Sequence, residues 1–227
     1  MRSGRRCGGP ERNALRVTAK VPRVFFEAAS SVGERGSGAL PWDPLKAIVA
    51  PRPIGWVTTR SPDGVVNLAP YSFFNAVADK PAIVFFSAET GKHSQANAEA
   101  TGEFVLSLAT WDLREQVNAT SASLDADESE PAAVGVELAP SRLVAPPRVA
   151  ASPTALECAY LETHVPRTRS GDPHVYALVF GQVVGVHVDD AFVRDGRLET
   201  AAMRPIARMG YDEYAVVEQA FRMVRPS

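Results

Sequence analysis

Residues 51–75 read PRPIGWVTTRSPDGVVNLAPYSFFN, and the fold class turns on how this stretch is parsed. Residues 54–60 alternate apolar with hydroxyl-bearing side chains and include Trp56, Val57, Thr58 and Thr59, types that suit a half-buried pleated surface. Ser61-Pro62-Asp63-Gly64 then supplies a turn, because proline presets one negative φ and glycine tolerates a positive one. Residues 65–68 are therefore expected to return antiparallel, with Ala69-Pro70 ending the second strand. Tyr71, Ser72, Phe73, Phe74 and Asn75 follow with neither helical nor strand periodicity, which predicts a loop carrying three aromatics. Loops are normally polar and exposed. An aromatic loop with many hydrogen-bonding groups and no acid or base suits a cradle for something planar better than it suits hydrolysis.

Outward from this hairpin, short strands recur. Residues 24–28 predict an edge strand, and glycines over 33–38 predict a flexible link to Asp43, which can cap a short helix through Ile48. Residues 82–88, AIVFFSA, are a compact strand; 94–101 form a helix stopped by Gly102, and 103–109 another strand. Thr110 is placed to cap a helix over 111–120, with Asp112 and Glu115 in its first turns. The acidic residues 121–133 read as an exposed, solvated loop. Residues 156–163 and 175–188 are the strongest late strands, the second long enough to bend at Gly181 or Gly185, and Asp195-Gly196 marks a further tight turn. Many strands, few helices and no βαβ alternation predict a mostly-β barrel or sandwich.

The 227 residues suffice for one domain over 24–224, preceded by a leader. Residues 1–23 hold six Arg and one Lys against Glu11 alone, with several glycines, and read as a disordered leader. A net charge of −2 and a pI near 6.1 argue against a nucleic-acid partner. The longest uncharged run, 173–188, is 16 residues and contains glycines, Gln182 and His187, so no membrane span is expected. Cys7 and Cys158 are the only cysteines, which indicates no disulfide framework, no cysteine metal site and a cytoplasmic location. GxSxG, GxGxxG, P-loop and HExxH patterns are absent, and the four histidines are scattered, so no metal site is expected.

One loop does suggest chemistry. Residues 87–94, SAETGKHS, lie between a strand and a helix and combine Lys92, His93, Gly91 and the hydroxyls of Ser87, Thr90 and Ser94. A phosphomonoester carries about −1.5 to −2 charges, which a lysine, hydroxyls and helix N-terminal amides can meet. Lys92 could equally be a solvated residue, with Ser94 a helix cap. Beside an uncharged aromatic loop, the combination fits a ligand with a dianionic tail and a flat heteroaromatic head, such as flavin mononucleotide (FMN).

PRPIGWVTT, NLAPYSFFNAV, KHSQANAEATGEFVLSL, ALECAYLE, HVYALVFGQVVGVHVDD and RPIARMGYDEYAVV together resemble the flavin reductase-like, FMN-binding split-barrel family, in its flavoredoxin-like subgroup. The resemblance implies a Greek-key split β-barrel with a few peripheral helices that forms a homodimer with FMN near the interface. By the same resemblance Arg52, Trp56, Thr58 and Thr59 would line the flavin. Ala69, Pro70, Tyr71, Ser72, Phe73, Phe74 and Asn75 would meet the ring edge. Ser87, Lys92, His93 and Ser94 would serve the phosphate, where family members often carry an acid at the place of His93. His174 resembles a nicotinamide-side histidine, though Pro173 separates it from Gly171-Asp172, and Arg208 matches a C-terminal Arg-x-Gly pattern near the flavin or a turn at the dimer interface. The implied activity is NADH- or NADPH-dependent transfer of hydride through FMN to a flavin, metal or protein acceptor. An FMN carrier without a nicotinamide site and a pyridoxamine-phosphate-oxidase-like enzyme are the alternatives.

Overall fold

The structure, a computed structural model, describes residues 24–29, 35–38, 40–125 and 127–226. The expected leader, with Cys7, and part of the glycine-rich link lie outside the described residues. Within that link, Ser37–Gly38 pairs with Phe26–Glu27, so the edge strand expected over 24–28 is reduced to two residues.

After a short strand β1 (Arg52–Pro53), the hairpin forms as expected: β2 (Gly55–Arg60) and β3 (Val66–Tyr71) pair antiparallel from Gly55 opposite Tyr71 to Arg60 opposite Val66. The turn is closed by Gly64 N donating to Ser61 O (2.9 Å) and Val65 N donating to Ser61 Oγ (3.1 Å), with Gly64 at φ +92°. Strand β3, however, does not stop at Pro70. Leu68 N and Val66 O bond to groups outside the β2–β3 ladder, which sets the phase: the backbone of residues 66, 68 and 70 faces away from β2. A proline at such an edge position surrenders no ladder hydrogen bond. Nor are residues 71–75 a loop. After a tight turn at Ser72 and Phe73, β4 (Phe74–Asp79) pairs with β5 (Ala82–Glu89).

The main sheet is completed by β6 (Glu103–Leu108), β7 (Thr154–His164) and β8 (Tyr176–Val188), in the order β3-β2-β6-β7-β8-β5-β4, antiparallel throughout. Its two edges, β3 and β4, are consecutive in the chain. The sheet curls until they approach: the rings of Tyr71 and Phe86 are 5.0 Å apart, and a Cβ on Gly55 would sit 2.9 Å from the Phe74 ring. Curvature comes from two bulges in the β7–β8 pairing, at Val184 next to Gly185 and at Leu161 next to the Tyr160–Gly181 pair, so the expected bending positions are used.

Two apolar clusters flank β2. Inside the curl lie Val57, Val84, Phe86, Phe104, Leu106, Cys158 and Val179; on the other side lie Ile54, Trp56, Leu68, Ala109, Val117, Val149 and Ile206. Strand β2 is therefore buried on both faces rather than half-buried, because a small sheet of β1, β9 (Ile206–Arg208) and β10 (Tyr214–Val216) and the helical segments cover the outer one. Helix α1 (His93–Thr101) ends at Gly102 with φ +77°, as the sequence predicts, and Asp43 caps the helical turn Leu45–Ile48 by accepting from Leu45 N (2.8 Å). The helix expected over 111–120 begins instead as a 3-10 turn, Trp111–Leu113, before α2 (Arg114–Ala119). Thr110 makes no capping bond, and its backbone bridges to Pro205. The acidic stretch read as a loop contains α3 (Glu130–Val134), with Pro131 in its first turn and Gly135 at its end.

Candidate functional site

A cavity of about 420 Å³ opens beside β3, within the size range of small-ligand sites. One wall is Asn67, Ala69, Pro70 and Tyr71; a second is Gly91, Lys92 and His93 at the start of α1; a third is the segment 120–124 together with Glu130. The fold thus brings together Ala69, Pro70 and Tyr71 of β3 and the Lys92-His93 turn, which the sequence singled out in separate segments. Lys92 is exposed at the rim, ahead of the unsatisfied N–H groups of a nine-residue helix, and this corner favours an anion.

The third wall is the one the sequence reading missed. Glu130 is only 5% exposed, and its Oε2 accepts from Leu68 N at 3.1 Å, while Ser129 Oγ donates to Val66 O at 2.7 Å. Two side chains at the start of α3 therefore replace the missing neighbour strand along the open edge of β3. The sequence carried a usable signal in Ser129-Glu130-Pro131 followed by Gly135, a helix start and stop. A unit negative charge within 4 Å of Glu130 would meet a repulsion of about 4 kcal/mol at an effective dielectric of about 20. An anionic group is therefore disfavoured beside α3 and better matched at the Lys92 corner.

Ser94, expected to donate to a phosphate, does not line the cavity. It is 1% exposed and holds a buried cluster: Tyr71 OH donates to Ser94 Oγ at 2.9 Å, and the Asn67 amide lies 2.9 Å from the same oxygen. Burial, opposed by the Ser94 bond and reinforced by Glu130, raises the Tyr71 pKa above that of an ordinary phenol. Tyr71 therefore stays protonated at neutral pH. Glu130 is bonded to the backbone through Leu68 N.

The remaining residues expected at the site are placed elsewhere. Trp56, Thr58 and Thr59 are fully buried in the core. Trp56 nonetheless shapes the cavity, since its Nε1 donates to Thr120 Oγ1 at 2.9 Å and so fixes the start of the third wall. Thr59 accepts from Asn97 at 3.2 Å. Arg52 is 6% exposed, and its guanidinium donates to the carbonyls of Lys46, Val49 and Met209, tying the 45–48 turn to the C-terminal segment. Burial and the neighbouring Arg208, its cross-strand partner, lower the Arg52 pKa. Arg208 donates to Tyr214 OH and Tyr211 O.

Ser87 lies in β5, its amide donating to Phe73 O (2.8 Å). Phe73 contacts Arg52 and Tyr176, Phe74 packs on Gly55, and the Asn75 side chain accepts from Ala76 N. Ser72 sits in the turn between β3 and β4. His174 accepts from Tyr176 N at 3.0 Å and is not part of the cavity wall. The stretch from Ala69 to Tyr71 has few free backbone donors. The strand phase commits the amides of Ala69 and Tyr71 to β2, and Pro70 has none. Among the described residues no cluster of metal-binding side chains occurs, and no helix is long and apolar enough to cross a membrane.

A family model described as "Flavin reductase like domain" matches residues 49–201. A curated relative, the uncharacterized protein BH2278 of Halalkalibacterium halodurans, is 35% identical over 188 residues, covering 81% of this chain and 90% of that protein. The crystal structure of nitrilotriacetate monooxygenase component B from Bacillus cereus is 29% identical with a TM-score of 0.74, covering 79% of this chain and 90% of that one. Two structures of lower identity share the fold. One, from Shewanella frigidimarina, is described as a putative flavin reductase with a split barrel domain (23%, TM-score 0.72, 80% and 90% covered). The other, from Shewanella baltica, is an FMN-binding domain of a flavin reductases-like enzyme (20%, TM-score 0.63, 81% and 96% covered). The mostly-β split barrel expected from the sequence is the fold observed.

Proposed function

The chain belongs to the flavin reductase-like domain family, and from that premise we propose that it is an FMN-dependent oxidoreductase. In this reading NADH or NADPH donates hydride and a flavin, a metal or a protein partner accepts the electrons. The observation that carries the reading is the cavity itself, where β3 from Asn67 to Tyr71 meets the Lys92 corner. Its residues fit the cofactor: a cation and helix N-terminal amides for a phosphate, neutral apolar and aromatic groups at Ala69, Pro70 and Tyr71 for a flat ring, and space for the linker between them. FMN, when bound, supplies a ring that takes up and releases hydride without a protein acid or base, so the chemistry asks no proton transfer of the wall residues Glu130 and His93. The protein's task is then to hold donor and ring at contact distance.

The exposed Val184, Val186, Val188 and Leu161 on β7 and β8 support association of two copies. A cytoplasmic location agrees with the scarcity of cysteine. His174 stands off the cavity wall and is bonded to Tyr176 N, and this favours a second reading in which the protein carries FMN for a protein partner and has no nicotinamide site.

The test is direct. Purified protein should be yellow, should release FMN on denaturation, and should bleach when mixed anaerobically with NADH or NADPH. Bleaching by neither leaves the carrier reading. A colourless protein that also fails to take up added FMN would remove both.

A further inference from the structure

Glu130 dictates the direction of a chain of hydrogen bonds. A carboxylate can only accept, so the Asn67 amide orientation that satisfies every neighbour turns its nitrogen to Glu130 Oε1 (3.1 Å). Its oxygen then faces Ser94 Oγ (2.9 Å) and Leu68 N (3.2 Å). Ser94 must then donate to Asn67, and Tyr71 must donate to Ser94. Each hydroxyl has one hydrogen, and both are spent inside the chain Tyr71→Ser94→Asn67→Glu130. Of this chain, Asn67, Tyr71 and Glu130 line the cavity, and the hydrogen-bonding capacity they have left is acceptor sites on the Glu130 carboxylate and the Tyr71 oxygen and the second hydrogen of the Asn67 amide. Phosphate oxygens, which only accept, find a repelling charge there. An aliphatic hydroxyl, which donates and accepts, finds partners for both.

We infer that Glu130 is a specificity-determining residue that, with Asn67 and Tyr71, forms a polyol subsite between the phosphate corner at Lys92 and the ring end, and that Ser94 orients this subsite instead of binding phosphate. The inference rests on the FMN reading of the cavity and assigns the ribityl hydroxyls to the α3 wall. It separates two recognition tasks: Lys92 reads the phosphate and Glu130 reads the polyol.

Three probes distinguish them in equilibrium titrations followed by flavin fluorescence: FMN, riboflavin, which lacks the phosphate, and lumiflavin, which lacks the ribityl chain as well. Glu130→Gln should weaken FMN and riboflavin alike, by about tenfold for a weakened hydrogen bond to a charged acceptor, and leave lumiflavin unchanged. Ser94→Ala, which keeps the charge and removes one buried hydroxyl, should lower FMN and riboflavin by the same smaller factor and serves if the first variant does not fold. A loss confined to FMN in Ser94→Ala would return Ser94 to the phosphate and overturn the inference. An equal loss for lumiflavin in Glu130→Gln would reduce Glu130 to a structural group. If the unaltered protein binds none of the three, the FMN reading itself fails, an outcome separate from these.

Discussion

The bond from Trp56 Nε1 to Thr120 Oγ1 joins the largest fully buried side chain of β2 to the first residue of the cavity's third wall, so breaking it tests how the core sets the site. Trp56→Phe keeps an aromatic ring in the outer cluster but loses part of the packed volume, about 1–2 kcal/mol on the scale of partial core deletions. It also forfeits a buried hydrogen bond, about 0.5–1.5 kcal/mol. Thr120 Oγ1 retains its bond to Val117 O (3.1 Å), so that oxygen is not orphaned. The total, about 1.5–3.5 kcal/mol, corresponds to a fall in Tm of about 3–14 °C for a chain of this size. Thr120→Val should cost about 1–3 kcal/mol, because it leaves the indole N–H buried without a partner. In a double-mutant cycle measured by urea unfolding, the two changes should couple by about 0.5–1.5 kcal/mol. FMN affinity should fall in both variants, since segment 120–124 loses its anchor to the core. Strict additivity of the two losses would show that the bond does not hold the wall. Unchanged FMN affinity in both would show that the wall does not touch the cofactor.

Lys92→Ala should weaken FMN by about tenfold or more while sparing riboflavin, read from paired fluorescence titrations, and equal losses would remove Lys92 from the phosphate. The buried Glu157 carboxylate accepts from Arg142 N (2.7 Å), Leu143 N (2.6 Å) and His187. Burial alone would raise its pKa, but these bonds and the histidine charge together lower it below the usual carboxylate value. Because the folded pKa is the lower one, this stabilisation is complete above the unfolded carboxylate pKa and is lost as pH falls through the folded value. Glu157→Gln should cost about 3–5 kcal/mol at neutral pH, by setting an amide N–H against a backbone donor, and should flatten the acid limb of a Tm-against-pH curve; an unaltered limb would exclude Glu157 as its source. Gly181→Ala places a Cβ in overlap with the Phe104 ring and should lower stability by about 1–3 kcal/mol in urea melts, with a neutral result refuting the tight approach of that ring to β8.

Much of the barrel was legible because its strands are short and punctuated by turn residues with defined backbone needs. Gly64, Gly102 and Gly196 all adopt positive φ where the sequence placed a turn or a stop. The errors cluster where an apolar side chain serves two surfaces. Phe74 packs inward against Gly55 while its strand forms the rim of the sheet, so residues 71–75 lack the alternation of a one-sided strand and read as loop. Trp56, Thr58 and Thr59 alternate as a half-buried strand does, yet both faces are covered by elements distant in the chain, among them α1, α2 and β9, which no local pattern can announce. The hydroxyls of such a strand look available for a ligand in sequence, but in the structure both are buried: that of Thr59 accepts from Asn97, and that of Thr58 has no hydrogen-bond partner.

The acidic stretch is the most instructive case, since composition led to a solvated loop and packing made one of its acids a buried part of the site. Burying Glu130 without a cation would be costly, but the open edge of β3 offers Leu68 N–H, a donor that would otherwise need a strand. The same bond therefore solves two problems, the unpaired edge and the buried charge, and it does so at the rim of the cavity. Any residue that covers this edge must be an acceptor at the level of Leu68. The Glu130→Asp side chain would be too short to reach from the same helix, and Glu130→Gln would let the Asn67 amide turn and free the Ser94 hydroxyl. The chemistry of the cavity wall is thus set by how the barrel closes its edge, and a change at Glu130 should alter ligand preference before it alters the fold.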